Sequence, residues 1–194
     1  MLKDQILPKF YTVDRAGSMN ENSIFELNTN YPEKRMCTVD GLYNEKDVIA
    51  RIEQLYPTGL SRHGVQYLIT RGIVIFKEGT RSPLHITYTQ PMIEAIFELV
   101  RRSEFPTLPS RIQSMFGWLT LEDARKFNES EGNDKSIFEV ESNNAFIADQ
   151  NLLFLGSSVI GAYELARKYW SCDRSKNCKL EAVIPLPAVI GNKV

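Results

Sequence analysis

Apolar positions along the chain follow two spacings, one typical of amphipathic helices and the other of short strands. The helical spacing is clearest in residues 89–103, where Ile93, Phe97 and Val100 lie on one stripe. Similar stripes predict helices at 44–56, 60–70, 120–127 and 157–170, although Gly64 interrupts the second of these. Apolar runs predict strands at 10–13, 24–27, 73–76, 111–119, 136–141 and 179–184, with 188–190 as a further candidate.

The order of these elements indicates the fold class. Helices and strands are interspersed without regular alternation, and neither an internal repeat nor a low-complexity tract interrupts them. This order favours an α+β fold with mixed or antiparallel sheets over a doubly wound parallel fold. It also predicts one domain spanning residues 1–194, since no linker-like composition separates two halves.

Composition and charge remove several function classes. With 43% hydrophobic and 24% charged residues, the chain is typical of a globular protein. A formal net charge of -1 argues against a general nucleic-acid binder. Neither a signal peptide nor a membrane span of roughly 18–20 apolar residues is evident. Three cysteines are too few and odd in number for a disulfide framework, so a cytoplasmic protein with reduced thiols and no membrane partner is expected.

Common catalytic and metal-binding motifs are absent from the sequence. It contains no phosphate loop, no dinucleotide-binding glycine fingerprint, no HExxH and no GxSxG. Cys172 and Cys178 are spaced too widely for the usual zinc pair, so no metal site is predicted. A nucleophilic Cys37 paired with His63 or His85 remains a minor alternative.

Glu181 is the strongest single candidate for chemistry. In the segment KLEAVI, alternation places Leu180, Ala182 and Ile184 on one face of a strand and Glu181 on the other. A carboxylate projecting from a strand into a cleft can stabilise positive charge that develops on a reacting sugar. The alternative is an exposed acid on an edge strand, which is a common position for glutamate.

Three segments of the chain together resemble the ADP-ribosyltransferase superfamily, particularly small bacterial enzymes of the rifampin ADP-ribosyltransferase type. FYTVDRAG is similar to the opening strand, on which the family places an Arg or His that holds NAD, and Thr12 occupies that position here. PSRIQSMFGWLTLEDARKF resembles the central strand and the helix after it. The region from EVESNNAFIADQNLL to YWSCDRSKNCKLEAVIPLP is similar to the C-terminal half, in which a turn-forming loop precedes the strand that bears the catalytic acid, here Glu181.

The resemblance implies an ADP-ribosyltransferase-like α+β fold around an NAD cleft, with NAD as co-substrate. It implies that Glu181 stabilises the oxocarbenium-like ribose, that Ser114 orients Glu181, and that Arg111 or Arg15 holds a phosphate in place of the missing cation at Thr12. The remaining implied cofactor-binding positions are Tyr11, Thr12, Ser110 and Phe116. Asp173, Arg174 and Lys176 are implied in a loop that selects the acceptor.

The leading hypothesis is therefore a mono-ADP-ribosyltransferase that modifies an unidentified acceptor, with protein favoured. One alternative is a catalytically silent binding or inhibitory module of the same fold, suggested by Thr12. Another is a nucleic-acid-binding or nucleic-acid-modifying protein that uses the basic loop at residues 167–179. Tyr169 and Trp170 are expected to pack in the core at the end of a helix.

Overall fold

A computed structural model of the chain describes residues 7–31, 42–69, 73–76, 83–87, 89–132 and 134–194. It confirms the α+β prediction. The described helices are α1 (Glu45–Leu55), α2 (Arg62–Ile69), α3 (Thr89–Glu104), α4 (Leu121–Ser130) and α5 (Val159–Trp170). The described strands are β1 (Lys9–Val13), β2 (Ile24–Phe25), β3 (Ile73–Phe76), β4 (Pro83–Thr87), β5 (Ser114–Trp118), β6 (Ile137–Glu141), β7 (Phe146–Asp149), β8 (Leu180–Pro185) and β9 (Ala188–Lys193).

Seven of these strands form one antiparallel sheet in the order β2-β9-β6-β1-β5-β8-β7, and β3 pairs with β4 separately. Strands β1 and β5 pair at one position, Tyr11 with Trp118, whereas β5 and β8 pair along their length. Beyond Tyr11, β1 and β5 therefore diverge, and the sheet divides into two halves. A cleft opens where they separate.

Two hydrophobic clusters fix the halves of the sheet in place. One cluster lies between the halves and joins Phe10 and Phe138 to Met115 and Ile184. The other packs β7 and β8 against α3 and α5 through side chains that include Phe97 and Trp170. Side chains alternate between the two faces of β8, so Val183 packs in the helical cluster while Ala182 and Ile184 pack in the cluster between the halves.

Helix caps explain why several predicted helix boundaries agree with the structure. Asn44 and Asp47 form a reciprocal capping box at the start of α1, and Thr120 caps α4 through the Asp123 N–H. Ser158 caps α5 through the Gly161 N–H. These side chains satisfy N–H groups that the first turn of a helix leaves unpaired.

Three local predictions are corrected by the structure. The strand expected at 111–119 begins at Ser114, because Arg111–Gln113 forms a 3-10 turn capped by Ser110. The strand expected at 24–27 is limited to Ile24–Phe25. No strand was predicted between residues 141 and 157, where the structure has Phe146–Asp149, which pairs with β8 from Phe146 opposite Val183 to Asp149 opposite Leu180.

Gly64 is required for close packing and does not interrupt the helix. Helix α2 lies directly on the 3-10 turn, and Ser61 fixes this approach by donating from both its N–H and its Oγ to the Ile112 carbonyl oxygen, each at 2.9 Å. A Cβ added at Gly64 would overlap that same carbonyl oxygen. The glycine therefore permits the position of α2 beside the cleft.

We expect Gly64→Ala to lower the free energy of unfolding by about 1–3 kcal/mol, because the extra methyl group must push α2 away from backbone atoms. Urea denaturation followed by circular dichroism measures the change. Gly161→Ala is the matched control, since its Cβ would meet only the Ser158 Oγ, at 3.1 Å. An equal loss in both variants would contradict the packing argument.

Candidate functional site

A cleft of about 770 Å³ lies where β1 and β5 separate, bounded on its other sides by α2 and α3. Its floor is polar and buried, whereas its rim carries exposed cations. The residues that matter for its chemistry are Thr12, Arg15, Arg62, His63, Glu94, Arg111, Ser114, Phe116 and Glu181. Thus residues from β1, β5 and β8, which the sequence singled out separately, line one cavity.

Glu181 lies on the floor of the cleft and is 3% exposed. Its strand, β8, lies between β5 and β7 and is not an edge strand, so the alternative of an exposed acid on a sheet edge is wrong. Its Oε1 accepts hydrogen bonds from Arg111 Nη1 and from the Tyr169 hydroxyl. No described residue donates to its Oε2, so one carboxylate oxygen is held in place and the other is left for a ligand.

Arg111 is the central cation of the floor. Its Nε and Nη2 donate to the two oxygens of Glu94, each at 3.0 Å, while Nη1 reaches Glu181 and the Tyr169 hydroxyl. Its guanidinium carbon lies 4.4 Å from the centre of the Phe116 ring. Burial lowers the pKa of Arg111, but Glu181 and Glu94 outweigh this and raise it well above its usual value. The side chain is therefore committed to carboxylates and is not positioned to hold a phosphate.

Glu94 on α3 is the second buried carboxylate. Burial raises its pKa, but the charges of Arg111 and His63 outweigh that effect and lower the pKa to about 2. The group is therefore ionised throughout the physiological range. Together with Glu181 it gives the floor two acidic side chains against one guanidinium.

Tyr169 on α5 joins the helical layer to the floor. Its hydroxyl accepts from Arg111 Nη1 at 2.6 Å and donates to Glu181 Oε1 at 2.7 Å. Burial raises the pKa of Tyr169, and although Arg111 opposes this, the pKa is well above its ordinary value. The phenol therefore stays protonated and acts as a donor that orients the Glu181 carboxylate.

His63 lies beside Glu94 on the wall formed by α2. Its Nε2 is buried 3.0 Å from Glu94 Oε1, although the contact lacks the alignment of an N–H hydrogen bond. The ring packs against Tyr67 and edge-on against Phe116, with centroids 4.5 and 4.8 Å away. The imidazole is thus held by a carboxylate and two aromatic rings.

Cations occupy the rim of the cleft. Arg15 and Arg62 are both exposed; Arg62 donates to Ser18 Oγ, and Arg15 Nη1 is 4.0 Å from Glu131. Lys179, just before β8, lies over the rings of Trp118 and Phe127, which line the cleft. The rim can therefore attract anionic groups, whereas the floor carries a net negative charge when His63 is neutral.

The structure brings some of the other predicted residues to the cleft and keeps others away. Thr12 and Phe116 line it. Ser114 also lines it, but its Oγ donates to the Ser110 carbonyl oxygen at 2.7 Å and makes no hydrogen bond with Glu181, so it does not orient that acid. Ser110 is buried outside the cleft lining, where its hydroxyl donates to Glu98. Tyr11 packs with Trp118 and Ile137 away from the cleft lining.

The predicted acceptor loop is ordered by Asp149, which is fully buried at the end of β7. Its carboxylate accepts from the N–H groups of Ser175 and Lys179, at 2.6 and 2.9 Å. Asp173, Arg174 and Lys176 are exposed and do not line the cleft. They stand on a loop that leads directly into β8.

The alternative sites receive limited support. Cys172 and Cys178 are exposed free thiols, whereas Cys37 and the side chain of His85 lie outside the described residues. No group of three or more potential ligands among His, Cys, Asp and Glu could hold a metal within the described part of the chain. No described helix is long and apolar enough to cross a membrane.

Sequence reasoning missed three members of the site. Glu94 was one acid in an amphipathic helix, Tyr169 was assigned to core packing, and His63 was one of two isolated histidines. Tyr169 and Trp170 both pack in the core, as predicted, and Trp170 donates from Nε1 to the Phe97 carbonyl oxygen. No sequence signal marked Glu94: it lies about 100° around the helix from Ile93, off the apolar stripe of Ile93, Phe97 and Val100, as an exposed acid would.

Residues 10–193 match the model of a family described as "Protein of unknown function (DUF2441)", and the chain belongs to that family. The match covers nearly all the residues that form the sheet and the cleft. Comparison with curated proteins finds no match.

Proposed function

We propose that this member of the DUF2441 family is a mono-ADP-ribosyltransferase that binds NAD in the cleft between β1 and β5. One observation carries the proposal: Glu181 is fixed on the cleft floor through Oε1, while Oε2 accepts no hydrogen bond from the described residues. Strand β8 lies beside β5, which pairs with β1. This arrangement brings Thr12, Ser114 and Glu181 to one cleft, which supports the proposal of a common NAD site.

The chemistry suits a fixed carboxylate. Breaking the bond between nicotinamide and ribose develops positive charge at the anomeric carbon, and the free Oε2 of Glu181 can accept from a ribose hydroxyl and stabilise that charge. Arg111 and Tyr169 act through Glu181 by holding its other oxygen. They take the orienting role that the sequence assigned to Ser114.

The distribution of charge in the cleft also matches NAD. The floor has Glu94 and Glu181 against Arg111, which favours a cationic nicotinamide ring, and Phe116 offers it an aromatic neighbour. Arg15 and Arg62 on the rim can pair with the diphosphate. They would supply the positive charge that Thr12 lacks, which supports NAD as the co-substrate.

Calorimetry with NAD, followed by measurement of nicotinamide release and of label transfer to proteins in a cell lysate, tests the proposal. We expect the wild type to bind NAD and release nicotinamide. We expect Arg62→Ala to weaken NAD binding about 10-fold, because a charge-assisted hydrogen bond to phosphate contributes on the order of 1.5–3 kcal/mol. Arg51→Ala, an exposed arginine on α1, is the matched control and should leave the affinity unchanged.

A second candidate function is a catalytically silent binding module of the same architecture, and Thr12 is the observation that favours it. A wild type that neither binds nor cleaves NAD would support this alternative and contradict the proposal. Oligonucleotide binding would instead favour the nucleic-acid-binding hypothesis if its affinity falls steeply with salt and depends on Arg174 and Lys176.

A further inference from the structure

We infer that His63 is the general base that removes the proton from the acceptor when ADP-ribose is transferred, an inference that rests on the proposed function. The imidazole of His63 lies on the cleft wall with Nε2 beside the ionised carboxylate of Glu94. Its Nδ1 has no hydrogen-bond partner in the described part of the chain. Glu181 is already committed to the developing charge on the ribose. A separate group is therefore needed for the proton.

The contact with Glu94 determines which nitrogen of the neutral imidazole carries the proton. Nε2 lies 3.0 Å from Glu94 Oε1, and an ionised carboxylate at this position favours a proton on Nε2. Nδ1 then carries the lone pair, and it makes no hydrogen bond with a described residue. The misalignment of the Nε2 contact is common in catalytic sites without ligand. This is the carboxylate and imidazole pairing that activates nucleophiles in unrelated enzymes.

The charged and titratable neighbours of His63 support this role. Glu94 faces it from α3, and Tyr67 packs on it from the next turn of α2. Arg111 donates to both oxygens of Glu94 and lies over the ring of Phe116, the same ring that packs against His63. Burial raises the pKa of Tyr67, and the charge of Arg15 at the rim opposes this. An imidazolium formed at His63 would be adjacent to Glu94, so its charge is compensated when it takes up a proton.

The transfer replaces one bond to the anomeric carbon of NAD with another and moves one proton. The bond between the anomeric carbon and the nicotinamide nitrogen breaks, and its electron pair leaves with nicotinamide. A lone pair on the acceptor oxygen or nitrogen forms the new bond to the anomeric carbon. The acceptor proton moves to His63 Nδ1 and is later released to solvent. Water is the simplest acceptor, and with it the products are ADP-ribose, nicotinamide and a proton.

The test measures nicotinamide release from NAD, with water as acceptor, by wild type, His63→Ala and His63→Gln. We expect kcat to fall about 100-fold in both variants, because a positioned general base contributes at least that factor, with KM for NAD changed by less than about 3-fold. The acidic limb of the kcat profile against pH should disappear. Added imidazole should restore His63→Ala but not His63→Gln, whose amide fills the site.

His63→Gln keeps a side chain of similar size that can still bond Glu94, so it tests the role even if His63→Ala fails to fold. Unchanged kcat and an unchanged pH profile in a variant, with an active wild type, would overturn the inference and leave the proposed function intact. A fall in kcat without imidazole rescue and with the acidic limb retained would also overturn it. An inactive wild type that binds no NAD would instead overturn the proposed function and this step with it.

Discussion

Replacing Glu181 by glutamine is expected to reduce kcat for nicotinamide release about 1,000-fold, because removing a preorganised group that stabilises transition-state charge costs on the order of 100- to 1,000-fold. Glutamine has nearly the same shape, and its amide oxygen can still accept from Arg111 Nη1 and the Tyr169 hydroxyl. It cannot supply the negative charge that the developing oxocarbenium needs. The affinity for NAD should change much less than kcat.

Single-turnover release of labelled nicotinamide, with calorimetry for binding, measures this effect. Glu131→Gln provides the matched control, since Glu131 is a glutamate at the rim of the same cleft that lies 4.0 Å from Arg15. Its kcat should remain within about 3-fold of wild type, as expected for an exposed charge far from the bond that breaks. A Glu181→Gln enzyme as active as the control would show that the acid has no role in the chemistry.

Local patterns were sufficient to predict most of the architecture. The stripe of α3, the caps at Asn44 and Thr120, and the alternation in β8 each depend on neighbours within a few residues. Alternation alone correctly separated Glu181 from Ala182 and Ile184, and those two now lie in the core between the halves of the sheet. Strand β7 was missed because its short apolar run is flanked by polar residues typical of a turn.

The site itself depends on contacts that sequence spacing does not encode. Arg111 lies 17 positions from Glu94 and 70 from Glu181, and both contacts exist because the 3-10 turn before β5 directs its side chain beneath α3. The same turn explains why Ser114 bonds to the Ser110 backbone. The prediction of a continuous strand from residue 111 could not place Arg111 correctly, and it could not identify Tyr169 as the partner of Arg111.

The same buried pairing predicts that Arg111→Met lowers the free energy of unfolding at pH 7 by about 3–5 kcal/mol, because it leaves two buried carboxylates without their cation. The sign of the pH dependence follows from Glu94. Its pKa falls from 4.5 to about 2 on folding, so the stabilisation is complete above about pH 4.5 and is lost as pH falls toward 2. The difference between variant and wild type should therefore shrink over that interval.

Urea denaturation at several pH values measures the effect, and Arg101→Met is the matched control. Arg101 is also buried and bonds Glu98 through Nε and Nη2, but it lies outside the cleft lining. Both variants should lose stability, whereas only Arg111→Met should lose nicotinamide release, because Arg111, unlike Arg101, holds Glu181. Adding Glu94→Leu to Arg111→Met should recover part of the stability without activity, since it removes one unpaired buried charge. Full activity in the double variant would show that the Glu181 carboxylate does not need Arg111 to hold it.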